Sequence, residues 1–226
     1  MDDPPPDYLG HRSRLRKRVL THSDAVQDYE LLEYLLMLAI PRIDTKPTAK
    51  ALLKEFGGIG AVLAADPAAL KGVKGMGDAS AAALKAAHAA GLRMARRAIE
   101  ARPMLSNWQA LLDYLRADMS HHAIERVRVL YLDTRNQLIR DELMWQGSAD
   151  SAQVHVREVI ARGLQLQASG LILVHNHPSG DPSPSRADIT LTREVIAAGK
   201  VHDISVHDHL IIGANSYKSL RAEGLI

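Results

Sequence analysis

One stretch constrains this chain more than any other: Gly170-Leu-Ile-Leu-Val-His-Asn-His-Pro-Ser-Gly-Asp-Pro-Ser-Pro-Ser-Arg-Ala-Asp188. Leu171 to His175 reads as a buried strand, and the run stops abruptly at two histidines. At period 2, His175 and His177 point to the same side, with Cα atoms roughly 6–7 Å apart, so both imidazoles can converge on one ion. Asn176 points to the other face and reads as structural. Pro178-Ser179-Gly180 turns the chain at once, which puts the pair at an opening. Asp188 follows near the start of a helix expected over Ile189 to Ala198. Two histidines and one carboxylate leave a fourth tetrahedral position open, the arrangement of catalytic zinc. Each residue also has a plainer use. Ser185-Arg-Ala-Asp188 is a capping box, so Asp188 could serve only to cap.

The rest of the 226 residues sets bounds. Aromatics are only 4% of the chain, so the cores must be built from Ala, Leu, Val and Ile. Cysteine is absent, which excludes disulfides and thiolate metal sites and fits a reducing compartment. The acidic, proline-rich start does not read as a signal peptide, and no stretch reaches the roughly 20 apolar residues that cross a bilayer. The expectation is a cytoplasmic protein with no membrane partner. A basic cluster, Arg12, Arg14, Arg16, Lys17 and Arg18, could meet phosphate or an acidic protein, or could be a solvated helix face.

Residues 28–100 read as helices: Asp28 to Leu38 stopped by Pro41, Lys46 to Phe56 closed by Gly57-Gly58, Ile59 to Ala64, Pro67 to Leu70, and the alanine-rich Ala79 to Arg97. The character changes after Arg102-Pro103. A helix from Asn107 to Met119 precedes a hairpin, Glu125 to Asp133 and Leu138 to Gln146. Val156 to Gln167 is expected to be helical, and Val201 to His207 and His209 to Gly213 to be the last strands. The boundary therefore falls near residue 102, with an all-α domain at 1–102 and a domain of helices and a sheet at 103–226.

Two resemblances follow from these residues. Val73-Lys74-Gly75-Met76-Gly77, followed by Ala79 and Leu84, resembles a helix-hairpin-helix turn. That likeness implies backbone amides near a DNA phosphate at Gly75 and Gly77, flanked by Lys71 and Lys74, with contact independent of sequence. Glycines that simply make a tight turn between helices fit the same residues. His-x-His-x7-Ser-x2-Asp, standing here as His175, His177, Ser185 and Asp188, resembles the JAMM/MPN metalloprotease motif. The longer string from His175 to Asp188 is similar to the RadC family, often labelled DNA repair proteins. Gly10-His-Arg, Asp28-Tyr-Glu-Leu-Leu-Glu, Arg157-Glu158 and Asp208-His-Leu-Ile-Ile-Gly extend that likeness over nearly the whole chain.

The resemblance implies a JAMM/MPN domain with a cytidine-deaminase-like mixed sheet and flanking helices. It implies Zn²⁺ held by His175, His177 and Asp188, and Ser185 as a donor to the oxyanion. It also requires a glutamate at the head of the domain's first strand, to act as general base and acid. Glu125 holds that place, with Glu142 and Glu158 as competitors. Arg126 and Arg128 depart from the small residues of JAMM relatives and set the pocket beside the glutamate apart. The reading is a zinc-dependent hydrolase of a peptide or isopeptide bond in a protein substrate, with DNA association through the first domain. A metal-dependent nuclease and a silent DNA- or protein-binding module are the alternatives. His207 and His209 could suggest a second metal, but no third ligand is in range, and they read as core or supporting histidines.

Overall fold

A computed structural model describes residues 7–100, 103–147 and 154–226. The chain divides into two compact units, Met1–Gly91 and Leu92–Ile226. The division falls inside a long helix, whereas the composition changes at Arg102, a position outside the described residues.

The first unit is helical: α1 (Asp7–Thr21), α2 (Asp28–Ala39), α3 (Lys46–Phe56), α4 (Ile59–Ala64), α5 (Pro67–Gly72) and the first part of α6 (Asp78–Glu100). Gln27 and Glu30 form a reciprocal capping box at the start of α2. Gly57, at φ +87°, closes α3 in the left-handed conformation. Leu32, Leu36, Leu52, Val62, Leu70 and Leu84 make the core. The basic cluster of α1 is partly committed within this unit. Arg18 pairs with the Glu30 carboxylate, and Arg12 donates to the Ile40 and Ile43 carbonyls. Arg14, Arg16 and Lys17 are exposed.

The second unit carries α7 (Trp108–Met119), β1 (Glu125–Leu132), β2 (Leu138–Gly147), α8 (Val156–Gln165), β3 (Gly170–Asn176), α9 (Arg186–Val201), β4 (Ser205–Ile212) and β5 (Tyr217–Ser219). The strands form one mixed sheet in the order β2-β1-β3-β4-β5, in which only β3 and β4 run parallel. Strand alternation splits the core into two layers. Leu130, Leu132, Ile172, Val174, Leu210 and Ile212 pack with α7. Val127, Val129, Tyr131, Leu171 and Leu173 pack with α8 and α9 on the other face. Covered on both faces, β3 is buried from end to end, which is why it reads as an unbroken apolar run.

The C-terminal strands differ from expectation. Val201 ends α9, and a single strand β4 replaces the two runs read as Val201 to His207 and His209 to Gly213. The register of β3 against β4 skips His207, because Leu171 pairs with Val206 and Ile172 with Asp208. That one-residue bulge resets the alternation, so Val206 and His209 both face α8 and α9. The short β5 gave no sequence signal. Among the described residues no helix is long and apolar enough to cross a membrane.

Candidate metal centre

β3 delivers His175 fully buried at the cleft edge. The His177 N–H donates to the Ile212 carbonyl (3.0 Å), which extends the β3–β4 pairing one residue past the strand. Gly180, at φ +83°, then turns the chain and is held by a bond from the Ala214 amide. The loop returns to the N-terminus of α9, where Ser185 and Asp188 form a reciprocal capping box. Ser185 N–H donates to Asp188 Oδ2 (2.7 Å), and Asp188 N–H donates to Ser185 Oγ (3.1 Å). The other carboxylate oxygen, Oδ1, faces His175 Nε2 at 3.3 Å. Oδ2 itself lies 3.8 Å from His177 Nε2, so capping and presentation to the site are one feature of Asp188.

The hydrogen-bond directions fix the protons. His177 Nδ1 lies 2.8 Å from the Asp181 carbonyl, which can only accept, so His177 carries a proton on Nδ1. Thr192 Oγ lies 2.5 Å from the Asp188 carbonyl and must donate to it. Its oxygen therefore accepts from His209 Nδ1 (2.6 Å). The buried His209 is neutral, so its Nε2 is bare and accepts from His175 Nδ1 (2.8 Å). Both ligand candidates thus carry a proton on Nδ1. Their Nε2 atoms point at one another across 2.9 Å, with the Asp188 carboxylate beside them. His175 Nε2 is a bare lone pair beside an anion, so the point between them calls for positive charge, met by a second proton on His177 Nε2 or, in its place, by a metal ion. The nitrogen and oxygen donors of His175, His177 and Asp188 all fall within 4.8 Å of one another, and this donor set fits a borderline divalent metal.

The electrostatics agree. Burial lowers His175 to about 4, with Asp188 opposing and His177 reinforcing the shift. Burial also pushes His209 well down. For Asp188 burial acts upward, but the His177 hydrogen bond, the field of His175 and the Ser185 bonds outweigh it and hold the carboxyl well below the usual range. The hydrogen bond to Asp188 raises His177 against a smaller opposing effect of burial.

A cleft of about 870 Å³ opens over these groups, lined by Glu125, Trp145, Leu173, Ser185, Leu191 and Glu194 among others. Glu125, at the head of β1, lies on the same face as Val127, which pairs with His175. Burial and the charge of Asp188 raise its carboxyl, partly offset by His177. The two competitors lie elsewhere. Glu142 is bound to Arg162 (2.8 Å), and Glu158 is exposed on α8 and does not line the cleft. Ser185 does line it, and since its oxygen accepts the Asp188 amide, its own proton can point outward.

Two placements, the Arg126–Arg128 pair and Thr192, differ from the sequence reading or lie outside it. Arg126 and Arg128 sit on the opposite face, against His122 and against Asp118 and Asp141, and so leave the pocket beside Glu125 unaltered. Asn176 has the structural place its strand face implies. Its amide accepts from Arg126 N–H (2.9 Å) and donates to the Ile124 carbonyl (3.1 Å), clamping the backbone on both sides of Glu125. Thr192, buried one turn after Asp188 on α9, gave no signal beyond its spacing. In the first unit, Gly75 has φ +91°, and a Cβ there would lie 2.6 Å from Thr48 Oγ. Gly77 N–H donates to Ser80 Oγ (2.8 Å), and Lys71 pairs with Asp78 (3.0 Å), while Lys74 is exposed.

Comparison with known proteins decides the family. Residues 105–225 match the model of the RadC-like JAB domain. The chain is 51% identical over 213 residues to a UPF0758 protein of Rhodobacter capsulatus, covering 94% of this chain and 100% of the relative. The chain belongs to the RadC family. Within a RadC chain, the mixed sheet of the second unit is the JAB fold, and the His175-His177-Asp188 group lies inside the matched region.

Proposed function

We propose that this RadC-family chain is a zinc-dependent hydrolase of JAMM type, acting on a peptide or isopeptide bond. The observation that carries the reading is the convergence of two imidazole Nε2 atoms and a carboxylate oxygen in a cleft that also holds Glu125. His175, His177 and Asp188 would hold the ion, which supplies Lewis-acid polarisation of the scissile carbonyl and a nucleophile from water at neutral pH. Glu125, raised by burial, takes a proton from the attacking water and passes it to the leaving amine. Ser185 donates to the oxygen on which negative charge develops. Leu173, Leu191 and Trp145 shape an apolar wall beside these groups.

The cleft's charge disfavours a phosphodiester substrate. Arg186 is the one cationic side chain among its described lining residues, against Glu125, Asp188 and Glu194. Metal analysis of wild type, His175→Ala and Glu125→Ala, with peptide and DNA cleavage assayed on the same samples, tests the scheme. Stoichiometric zinc lost only from His175→Ala, with peptide hydrolysis lost from both variants, supports it. Full activity in Glu125→Ala, or wild type that takes up no metal, overturns it.

For the first unit the proposal is a helix-hairpin-helix turn between α5 and α6 that meets DNA without sequence preference. Support comes from the left-handed Gly75 and the exposed Lys74. Because Gly77 N–H and Lys71 already have partners, the contact would fall chiefly to Lys74 and the backbone at Gly75. Loss of salt-dependent duplex binding in Lys74→Glu is the expected result, and undiminished binding counts against it.

A further inference from the structure

The chain of hydrogen bonds behind His175 closes on the site itself. It starts at the backbone carbonyl of one ligand candidate, Asp188, runs through Thr192 and His209, and ends on the ring of another, His175. It links α9, β4 and β3, and each of its side chains is buried, Thr192 at 0% and His209 at 1% exposure. Only the carbonyl end has a fixed polarity, and it dictates every proton along the chain. His209 is held in turn by its backbone: its N–H donates to Asp208 Oδ1 (2.7 Å) and its carbonyl accepts from Leu220 N–H (3.0 Å). The β4 bulge at His207 is what turns His209 to this face.

We infer that His209 and Thr192 are positioning residues for the ion site: they fix His175 as its Nδ1–H tautomer and aim its Nε2 into the cleft. This rests on the reading that His175, His177 and Asp188 hold an ion. The two histidine ligands are served differently. His177 is oriented by a backbone carbonyl in an exposed loop, which no substitution removes. His175 depends on a side chain, and its acceptor is another imidazole, which can accept only while its own proton is held elsewhere. Thr192 holds that proton. Without Thr192 the His209 ring is free to take the other tautomer, present an N–H to His175, and turn a His175 N–H toward the cleft where a lone pair is needed.

The test is zinc and cobalt(II) affinity of the full chain, measured by competition with a chromophoric chelator. His209→Phe keeps the ring's bulk but offers no acceptor, and is expected to bind about 10–100-fold more weakly, the range known for removal of such outer partners. Thr192→Val, nearly isosteric, is expected to weaken binding in the same direction. His209→Gln, whose amide oxygen can accept from His175, and Thr192→Ser, which keeps the hydroxyl, are expected to restore it. The cobalt d–d spectrum should change in His209→Phe and return in His209→Gln, a readout that a merely space-filling role would not move. Long-range ¹H–¹⁵N spectra of the zinc-loaded protein should show His209 protonated at Nδ1. Wild-type affinity in both His209→Phe and Thr192→Val, or His209 protonated at Nε2, overturns the inference alone. Wild type that binds neither ion overturns it together with the site reading. Should His209→Phe fail to fold, the Thr192→Val and Thr192→Ser pair carries the same contrast.

Discussion

On the α7 face of the sheet, Arg128 reaches from β1 into a buried cluster; on the opposite face, His175 reaches from the adjacent strand into another. The first cluster closes on itself. Arg128 donates to Asp141 Oδ1 (2.8 Å) and to Asp118 Oδ2 (2.6 Å), and the Tyr114 hydroxyl donates to Asp141 Oδ2 (2.6 Å). Burial and the nearby Asp141 charge push the Tyr114 phenol above its ordinary range, so it stays a donor. The second cluster does not close. Its bonds run in one direction and end in two ring nitrogens and a carboxylate facing a cleft. A buried network whose donors and acceptors all match fixes a fold, whereas one that converges several electron pairs on a single point asks for a cation.

The largest effect should come from breaking the closed cluster. Arg128→Met leaves Asp118 and Asp141 without their cation, and Asp141 is the more buried of the two. Removing one partner of such a group costs about 3–5 kcal/mol, read as a lower denaturant midpoint. Zinc uptake should persist, because Arg128 faces away from the cleft. If stability falls by less than about 1 kcal/mol, or the ion is lost, the two clusters are not separate in the way their geometry indicates.

Acid distinguishes the open cluster. In the ion-free protein, His175 titrates at about 4, below the ordinary histidine value near 6.5. Between those values the unfolded chain holds the proton and the folded one does not. The contribution is therefore fully present above about pH 6.5 and is lost as pH falls through about pH 4, on the order of 3 kcal/mol in all. His209 acts in the same direction. His177 acts in the opposite one, since its raised value stabilises the folded form at low pH, and that contribution fades as pH rises. Denaturation curves with chelator at about pH 7.5 and about pH 5 should show the net loss. His175→Phe should flatten it, and an unchanged slope in that variant would place the titration elsewhere.

How much of this was legible beforehand follows from how local each signal is. His175, His177, Ser185 and Asp188 lie within one strand, turn and helix start, so short-range periodicity and capping chemistry sufficed to group them. Asp188 could be read as cap or ligand, and only the folded structure shows it in both places at once. Arg126 and Arg128 depart from the family pattern next to Glu125, but that pattern does not say which face they take. Strand alternation puts them on the other face, a consequence available from the same period-2 rule that grouped the histidines. His209 meets His175 across 34 residues of sequence, and Thr192 meets His209 across 17. The bulge at His207 decides which way His209 points, and a bulge leaves no mark on periodicity until the strands are paired. The two strands read near the C-terminus failed for that reason too, since the bulge and the end of α9 lie within the same few residues.

The smallest stability effect, and the finest cut between structure and chemistry, lies at Ser185. Ser185→Ala removes the oxygen that accepts the Asp188 amide but keeps the Ser185 N–H that donates to Asp188 Oδ2. The loss should be about 1 kcal/mol for Ala and only a few tenths for Gly, which substitutes well at an N-cap. Zinc affinity should hardly move in either, because Asp188 keeps its backbone donor. Hydrolysis should behave differently, since both variants lack the hydroxyl and both should slow by about 10²–10³-fold if that proton meets the developing oxyanion. Equal loss of rate beside unequal loss of stability assigns the hydroxyl to the reaction. Rates that instead track stability, with Gly near wild type, would reduce Ser185 to a cap and make the open cluster at this point as purely structural as the closed one.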